Sequence, residues 1–249
     1  MKAIFKTITI LLFCSGIFLQ SKAQFDFSKF EWGFMVSGFV YQGDLTPSQV
    51  GSYRTLRPGI NLFMSKELMP RIALRTNLAI GALKGDDAKY SSPSWRLERA
   101  LVFTTPVVEI SELAVVNILP NSRLMPYVNG GVGLSLLRIN RDWSQFNSTF
   151  FSNDPKAVAG LAEDIQHSVP KRIIVLPAGI GLKYALNENL SLIAESVYRI
   201  TFTDYLDGFS KVANPEKKDY YFTHSLGITY HSGNYGTKGS KSRIDCPQF

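Results

Sequence analysis

The chain has 249 residues, 45% of them hydrophobic, with 19 glycines and 12 prolines. This size suits a single domain, and an all-β barrel of this length is ordinary. The formal net charge is +7, but Lys2, Lys6 and Lys22 lie in a predicted signal segment without acids, so the mature chain would carry about +4 (7 − 3). A positive excess this small and scattered does not argue for nucleic-acid binding, and we expect no nucleic-acid partner.

The first predicted element is a Sec signal peptide at residues 1–23. Lysines precede an apolar run from Ile8 to Leu19, and small residues lead to a cleavage site after Ala23. This is the pattern of an exported protein. The apolar run is too short to span a bilayer comfortably.

Two cysteines bear on export. Cys14 allows a lipoprotein signal as an alternative, although Phe13 is large for the position before a lipidated cysteine. After cleavage one cysteine remains, Cys246. A single cysteine excludes an internal disulfide framework, so the fold must depend on hydrogen bonding and packing.

Eight segments with alternating apolar and polar residues follow the signal, and this period of two predicts β-strands. Glu112 interrupts the apolar face of the fourth segment, which predicts a bulge or a shifted register there. One loop segment, DPKAVAGLAEDIQ, could form a short helix. The eight segments are EWGFMVSGFVYQ (31–42), RPGINLFMSKEL (57–68), RIALRTNLAIGAL (71–83), ALVFTTPVVEISELAVVNIL (100–119), MPYVNGGVGLSLLRIN (125–140), RIIVLPAGIGLKYAL (172–186), ESVYRITFTDYLDG (195–208) and DYYFTHSLGITYHS (219–232).

Three features favour a membrane barrel over a soluble barrel or sandwich. The polar faces are rich in Gly, Ser, Thr and Asn, which suits a narrow lumen, and aromatic residues stand near the ends of apolar faces. The links KELMPR, LPNSRLMP and LNENL are tight, whereas the alternate links are long, up to roughly thirty residues. Short periplasmic turns and long outer loops are typical of outer-membrane barrels.

We therefore predict an all-β fold: an eight-stranded antiparallel transmembrane β-barrel of OmpA-like size, in contact with outer-membrane lipids. The barrel takes residues 24–231, and residues 232–249 form a periplasmic tail. Several charged residues fall on the polar faces of the strands, where they would form a lumen network of opposite charges, since an isolated buried charge is costly. An ion path is the alternative, but an eight-stranded barrel has room only for packed side chains. The predicted network is Arg71, Arg75, Glu109, Lys183, Glu195 and Arg199.

Aspartates recur at the outer ends of the strands. Converging there, they could bind calcium or act as an acid pair in hydrolysis. The favoured interpretation is turn and rim structure, because Asp in GD and DG pairs bonds its own backbone where the chain reverses. We expect no metal ion and no cofactor. The outer-rim aspartates are Asp44, Asp86, Asp87, Asp204 and Asp207.

The rim motifs also carry a family resemblance. YQGDL (41–45), LRPG (56–59), LKGDDA (83–88), RALVF (99–103) and YRITFTDYLDG (198–208) occur in this order with PYVNGGVGL and LKYALNENLSL. Together they resemble the PorG-like family of outer-membrane barrels associated with the type IX secretion system, over nearly the whole mature chain. The resemblance implies a non-enzymatic component that associates with a periplasmic ring made of a lipoprotein and its partner, in protein export and, in some organisms, gliding.

Two alternatives stay open beside that role. One is a stand-alone structural or adhesive barrel whose outer loops contact a ligand. The other is an outer-membrane hydrolase, for which DIQH (164–167) supplies an acid–histidine pair but nothing marks a nucleophile or an oxyanion hole. In the tail, basic residues and the free cysteine are candidates for contact with a periplasmic partner. The candidate tail contacts are Lys238, Lys241, Arg243 and Cys246.

Overall fold

The computed structural model describes residues 30–48, 51–120, 122–214 and 216–232. The predicted signal peptide and the tail contacts Lys238, Lys241, Arg243 and Cys246 lie outside these residues. These described residues form eight long strands and one short strand, β6. The strands are β1 (Phe30–Gln42), β2 (Arg57–Met69), β3 (Ile72–Asp86), β4 (Val102–Asn117), β5 (Leu124–Leu137), β6 (Asn140–Asp142), β7 (Arg172–Ala185), β8 (Leu190–Thr201) and β9 (Tyr220–His231).

The eight long strands close into a barrel. Each pairs antiparallel with its neighbours in sequence, and β9 pairs with β1 from Tyr220↔Gln42 to His231↔Glu31. The short β6 pairs antiparallel with the outer end of β4. Closure leaves no unpaired edge among the long strands, as a sheet in hydrocarbon requires. The predicted eight-stranded antiparallel barrel is confirmed.

The outer wall of the barrel is apolar, and the polar side chains of the strands mostly point inward. Outward residues such as Trp32, Val36 and Ile180 are 48%, 57% and 66% exposed, whereas the inward Asn61 and Thr223 are 1% and 0% exposed. A soluble barrel would reverse this pattern, because burial of apolar surface drives folding in water. The inverted arrangement is that of a transmembrane barrel of the outer-membrane type. No described helix is long and apolar enough to cross a membrane.

The links alternate in length around the barrel. At one end, turns of a few residues join β2 to β3, β4 to β5 and β7 to β8. At the other end four loops connect the strands: L1 (43–56), L2 (87–101), L3 (138–171) and L4 (202–219). L2 contains helix α1 (Trp95–Arg99), and L3 contains helix α2 (Pro155–Gln166), which lies where a loop helix was predicted. Short turns mark the periplasmic end of such barrels and long loops the outer end.

The prediction of a bulge at Glu112 was wrong. Strand β4 pairs with β3 in an unbroken register from Ile72↔Val116 to Asp86↔Val102. Glu112 therefore keeps the parity of its strand and faces outward. Its carboxyl accepts a hydrogen bond from the Thr76 hydroxyl on β3 at 2.5 Å, which allows it to stay on the apolar wall.

Candidate functional site

The charged side chains on the inner faces of the strands form ion pairs at three levels of the lumen. Nearest the periplasm, Lys183 Nζ lies 2.5 Å from Glu31 Oε2, and His231 lies 3.7 Å from the other oxygen of Glu31. Above this pair, Arg75 lies 2.6 Å from Glu195. All five side chains are at most 7% exposed. A buried ion is stable only when paired and hydrogen-bonded, so these contacts hold the strands in place.

Two neutral side chains also donate hydrogen bonds to Glu195. The Tyr127 hydroxyl and the Asn129 amide donate to the oxygen that Arg75 contacts, at 2.7 and 2.8 Å. The guanidinium of Arg75 also lies over the ring of Phe63, with 4.1 Å from the carbon to the ring centroid. Tyr127 reaches over the neighbouring strand β7 to Glu195 on β8 because Gly181 lies beneath its ring: a Cβ at Gly181 would come within 2.1 Å of the ring.

The third level joins Arg199 to Glu109. Arg199 Nε donates to Glu109 Oε2 at 2.7 Å, and a second guanidinium nitrogen donates to the Thr223 hydroxyl at 2.5 Å. Tyr221 also donates to Glu109. Glu195 and Arg199, four residues apart on one face of β8, thus bind partners on β3 and β4 across the lumen.

The structure places the six predicted lumen residues in two groups. Arg75, Glu109, Lys183, Glu195 and Arg199 lie inside the barrel and are paired. Arg71 does not belong to the network, because β3 begins at Ile72 and Arg71 lies exposed in the turn before it. The sequence parity was right, but the strand starts one residue too late to bury it. Glu31 and His231 complete the network and were missed, since each stands at the end of a strand where alternation has little context.

Above the charged levels, loop L4 folds into the outer mouth as a plug. Leu206 and Phe209 are 0% and 1% exposed and pack with Phe39, Phe103 and Leu137 of the barrel wall. The Thr105 hydroxyl on β4 donates to the Leu206 carbonyl at 3.0 Å. The motif TFTDYLDG therefore closes the barrel from the outside.

Glycine is required at the turn of this plug. Gly208 has φ +85°, a left-handed conformation that side chains other than glycine rarely adopt. A Cβ there would also come within 2.4 Å of the Arg141 side chain, which donates to the Gly208 carbonyl at 2.9 Å. The DG pair at 207–208 thus forms a tight turn, which is the interpretation favoured from the sequence.

A tyrosine and two aspartates lock the plug to the wall. The Tyr41 hydroxyl oxygen lies 2.6 Å from an oxygen of Asp207 and 2.6 Å from an oxygen of Asp219. A phenol has one proton and donates to one acceptor at a time. A proton on the second carboxyl, donated to the Tyr41 oxygen, would satisfy both contacts and join the three groups in one chain of hydrogen bonds.

Burial favours the protonated carboxyl. It raises the pKa of both Asp207 and Asp219 well above the ordinary value; the charge of Asp219 adds to the effect at Asp207, and those of Asp204 and Asp44 add to it at Asp219. At Asp204, burial raises the pKa to about 7, and the charges of Asp44 and Asp164 contribute. Burial raises the pKa of a carboxyl because removing water disfavours its charged form.

Asp164 holds the plug from the side of L3. Its carboxylate accepts hydrogen bonds from the backbone N–H groups of Ser210, Lys211 and Val212 at 2.9 to 3.1 Å. The Tyr205 hydroxyl is a further donor at 3.2 Å, and the His167 ring stacks on Tyr205. The carboxylate of DIQH is therefore fully buried and binds the backbone of L4.

The other rim aspartates join the loops to one another. Asp87 is fully buried and accepts from both Arg96 and Arg99 of α1. The same two arginines donate to the Asp44 carbonyl at 3.2 Å, and the Asp44 carboxylate accepts from the Asn214 backbone N–H at 2.9 Å. Asp86 forms a looser pair with Lys84 at 3.8 Å. The described residues contain no group of three acids, histidines or cysteines arranged to hold a metal ion.

The loops also enclose a cleft of about 830 Å³ on the outer surface. Trp95 and Phe150 line it with 36% and 51% of their surface exposed. Arg96 and Lys217 add positive charge, and Asp154 adds a carboxylate. The cleft thus combines exposed aromatic rings with charged groups of both signs.

A family model described as "Domain of unknown function (DUF6089)" matches residues 4–237. Among solved structures, the chain is similar to neisserial surface protein A (16% identity, 81% of this chain and 96% of that chain, TM-score 0.46). It is also similar to Ail, the attachment invasion locus protein of Yersinia pestis (14% identity, 81% and 98%, TM-score 0.43). A third is the outer membrane enzyme PagL (13% identity, 78% and 97%, TM-score 0.39). A search of curated proteins gave no match.

Proposed function

We propose that this chain, which belongs to the DUF6089 family, is a non-enzymatic outer-membrane barrel that serves as an anchor or accessory of type IX protein secretion and, in some organisms, of gliding. Its periplasmic side would contact a ring made of a lipoprotein and that lipoprotein's partner. The observation that carries the non-enzymatic part is the state of the interior: the lumen charges are paired and the outer mouth is plugged.

Transport through the barrel is disfavoured by this interior. Seven ionisable side chains at three levels are at most 7% exposed and bind one another, so they do not line a water-filled path. Catalysis is disfavoured in the same way. Asp207, Asp219 and Asp164 are at most 1% exposed and bonded to the loop, so a substrate could not reach them. A barrel closed in this manner acts through its surfaces.

The secretion role draws on the rim motifs. The motifs GDL, GDDA and TFTDYLD, in this order, resemble the PorG-like barrels, whose members associate with the periplasmic ring. The described chain leaves β9 at His231 on the short-turn side, and we propose that Lys238, Lys241, Arg243 and Cys246, which lie outside the described residues, contact the ring from the periplasm. Their contact with a ring protein, including a mixed disulfide at Cys246, stays a prediction.

The test is an affinity purification of the tagged, full-length protein from mildly solubilised outer membranes, with and without reductant. We expect a periplasmic ring lipoprotein to co-purify, and its amount to fall in a variant truncated after Ser232. A Cys246→Ser variant separates the cysteine from the basic residues. A deletion strain should lose secretion through the type IX route while its outer membrane stays intact. A barrel that purifies alone after cross-linking, in a strain that secretes normally, would overturn the proposal.

The cleft in the outer loops favours a second candidate function, contact with an external ligand. Exposed aromatic rings beside charged groups suit a polar ligand with apolar faces, such as a sugar. Glycan-array binding of the purified barrel, compared with Trp95→Ala and Phe150→Ala variants, tests this. Binding that both variants lose would favour the adhesive barrel over the secretion anchor, and no binding above background would remove this candidate.

A further inference from the structure

One carboxyl lies on the wall that faces the membrane. On the outer face of β4, Glu112 stands between Ile110, which is 55% exposed, and Ala114. Its neighbour on β3 is Thr76 and its neighbour on β5 is Val132, which is 53% exposed. All of these side chains point away from the lumen, so Glu112 is set in an apolar surface.

The position of Glu112 along its strand places it deep in the membrane. It lies five residues before Asn117, the periplasmic end of β4. At about 3.3 Å per residue and a strand tilt of about 40°, this is roughly 12 Å above that end. The apolar band of such barrels is about 25 Å tall, so the carboxyl lies near its middle. Ionisable groups at this depth are rare and costly, and they usually have a functional partner.

The barrel supplies hydrogen-bond donors for only part of the acceptor capacity of the Glu112 carboxyl. The Thr76 hydroxyl donates to Oε1 of Glu112. A carboxylate has two oxygens and about four acceptor sites. None of the ion pairs among the described residues includes Glu112, whereas Glu31, Glu109 and Glu195 in the lumen each have a cation. The wall therefore presents an acceptor to the hydrocarbon.

An apolar groove adjoins this carboxyl. It has a volume of about 590 Å³, and its lining residues come from β8, β9 and β1 to β4. Trp32, Phe34 and Leu62 line its length, and Thr76 and Ile110, which flank Glu112, line its end. Bulky apolar side chains would fit this recess while a polar group reached the carboxyl.

We propose that this wall is a docking surface, inside the membrane, for a membrane-embedded protein segment that presents a lysine or arginine to Glu112 and apolar side chains to the groove. Charge complementarity selects this occupant. Lipid chains offer no hydrogen-bond donor at this depth. A second copy of the chain lacks a suitable cation in its described strands, because its outward-facing Lys66, Lys84 and Arg172 lie near strand ends, and Lys84 already pairs with Asp86.

This surface is independent of the periplasmic contact proposed above. It lies on the barrel wall, and a ring protein would meet the turns and the tail. Loss of one contact should therefore leave the other intact.

The first test is site-specific photo-cross-linking in the outer membrane of the cells that produce the protein. A photoreactive residue replaces Ile110 beside the groove, and the matched control replaces Ile180 on the β7 wall, which is 66% exposed. We expect a single protein adduct from position 110 and none from 180. Glu112→Leu should lower its yield roughly tenfold or more, since a pair broken in a low-dielectric site loses over one factor of ten in affinity. The isosteric Glu112→Gln should lower it less.

Sequencing of the cross-linked peptide decides the occupant. The proposal expects an apolar segment containing a lysine or arginine, and an adduct that persists when residues after Ser232 are deleted. A peptide of this same chain, an adduct with lipid only, a segment without a basic residue, or a yield that Glu112→Leu leaves unchanged would each overturn it.

The second test separates binding from stability. In vesicles of phosphatidylcholine, the isolated Glu112→Leu barrel should unfold at a higher urea concentration than the unaltered barrel, because the substitution removes a polar group from the lipid face. An Ile180→Leu control should leave the midpoint unchanged. A carboxyl that serves only the fold would give the opposite result, a lower midpoint in Glu112→Leu, and that outcome would contradict the proposal.

Discussion

The two halves of the lumen are held by different forces. In the periplasmic half and the middle, charges on facing strands pair across the barrel, as Arg75 does with Glu195 and Arg199 with Glu109. In the outer half, Leu206 and Phe209 of L4 fill the mouth of the barrel. The aspartates of L4 form hydrogen bonds with the barrel wall and with the backbone of their own loop. The first arrangement joins strands to one another and is part of the barrel. The second joins a loop to a finished barrel, so it can open while the strands remain paired.

The largest effect is expected where the barrel depends on an ion pair. Arg199→Leu leaves Glu109 buried without its cation, which should lower the free energy of unfolding by about 3–5 kcal/mol. The double variant Glu109→Gln/Arg199→Leu removes both charges and should recover most of the loss. Urea unfolding in lipid vesicles measures both. If the single variant were as stable as the unaltered barrel, the middle of the lumen would not depend on this pair.

A plug substitution should act locally. Phe209→Ala removes a ring that is 1% exposed, and replacing a fully buried Phe by Ala typically costs about 3–5 kcal/mol, including the cavity that is left. We expect faster amide hydrogen exchange and proteolysis confined to L4, with the urea midpoint of the strands little changed. Phe202→Ala is the matched control, since this ring is 58% exposed in the same loop. A drop in the urea midpoint equal to that of Arg199→Leu would show that the two halves of the lumen unfold as one cooperative unit.

The plug should loosen as the pH rises. Asp204, Asp207 and Asp219 have raised pKa values in the closed loop, about 7 for Asp204, whereas a carboxyl in an open loop titrates near 3.9. The closed loop therefore binds protons more tightly than the open one. Its stability is fully present below about pH 4 and is lost progressively as the pH rises through about 7 and beyond.

Hydrogen exchange of the L4 amides between pH 5 and 8, corrected for the intrinsic rate, measures this loss. The variant Asp207→Asn removes one carboxyl of the pair that shares the Tyr41 hydroxyl and should flatten the dependence. Exchange that slows as the pH rises would show that the carboxyls are charged in the closed loop.

The sequence predicted the wall better than the plug. Alternation with a period of two fixes which side of a strand a residue takes, so it placed Arg75, Lys183 and Glu195 inside from local pattern alone. The plug depends on contacts between residues far apart in the chain, such as Tyr41 with Asp207 and Asp219, and a loop has no period from which to infer them. The aspartates of the rim were interpreted as structural, but neither the ion pairs of Asp87 with Arg96 and Arg99 nor the contact of Asp164 with the L4 backbone was predicted.

The prediction at Glu112 failed on a strand rather than in a loop. A charged residue on the apolar face looks like a break in parity, which predicted a bulge or a shifted register, whereas the register is unbroken. The hydrogen bond from Thr76, a residue 36 positions away, allows the regular register to continue. No pattern within one strand contains that information, because the donor belongs to the next strand.

The smallest effect is expected at Arg71, where sequence and structure differ. Its position in the exposed turn before Ile72 predicts that Arg71→Ala changes the free energy of unfolding by no more than about 0.5 kcal/mol, as for most surface substitutions. Arg75→Ala, four residues further on the same face, is the matched comparison, because it leaves Glu195 buried without a cation. A loss at Arg71 comparable to that at Arg75 would mean that the charged half of the lumen extends to the turn, and the boundary drawn at Ile72 would be wrong.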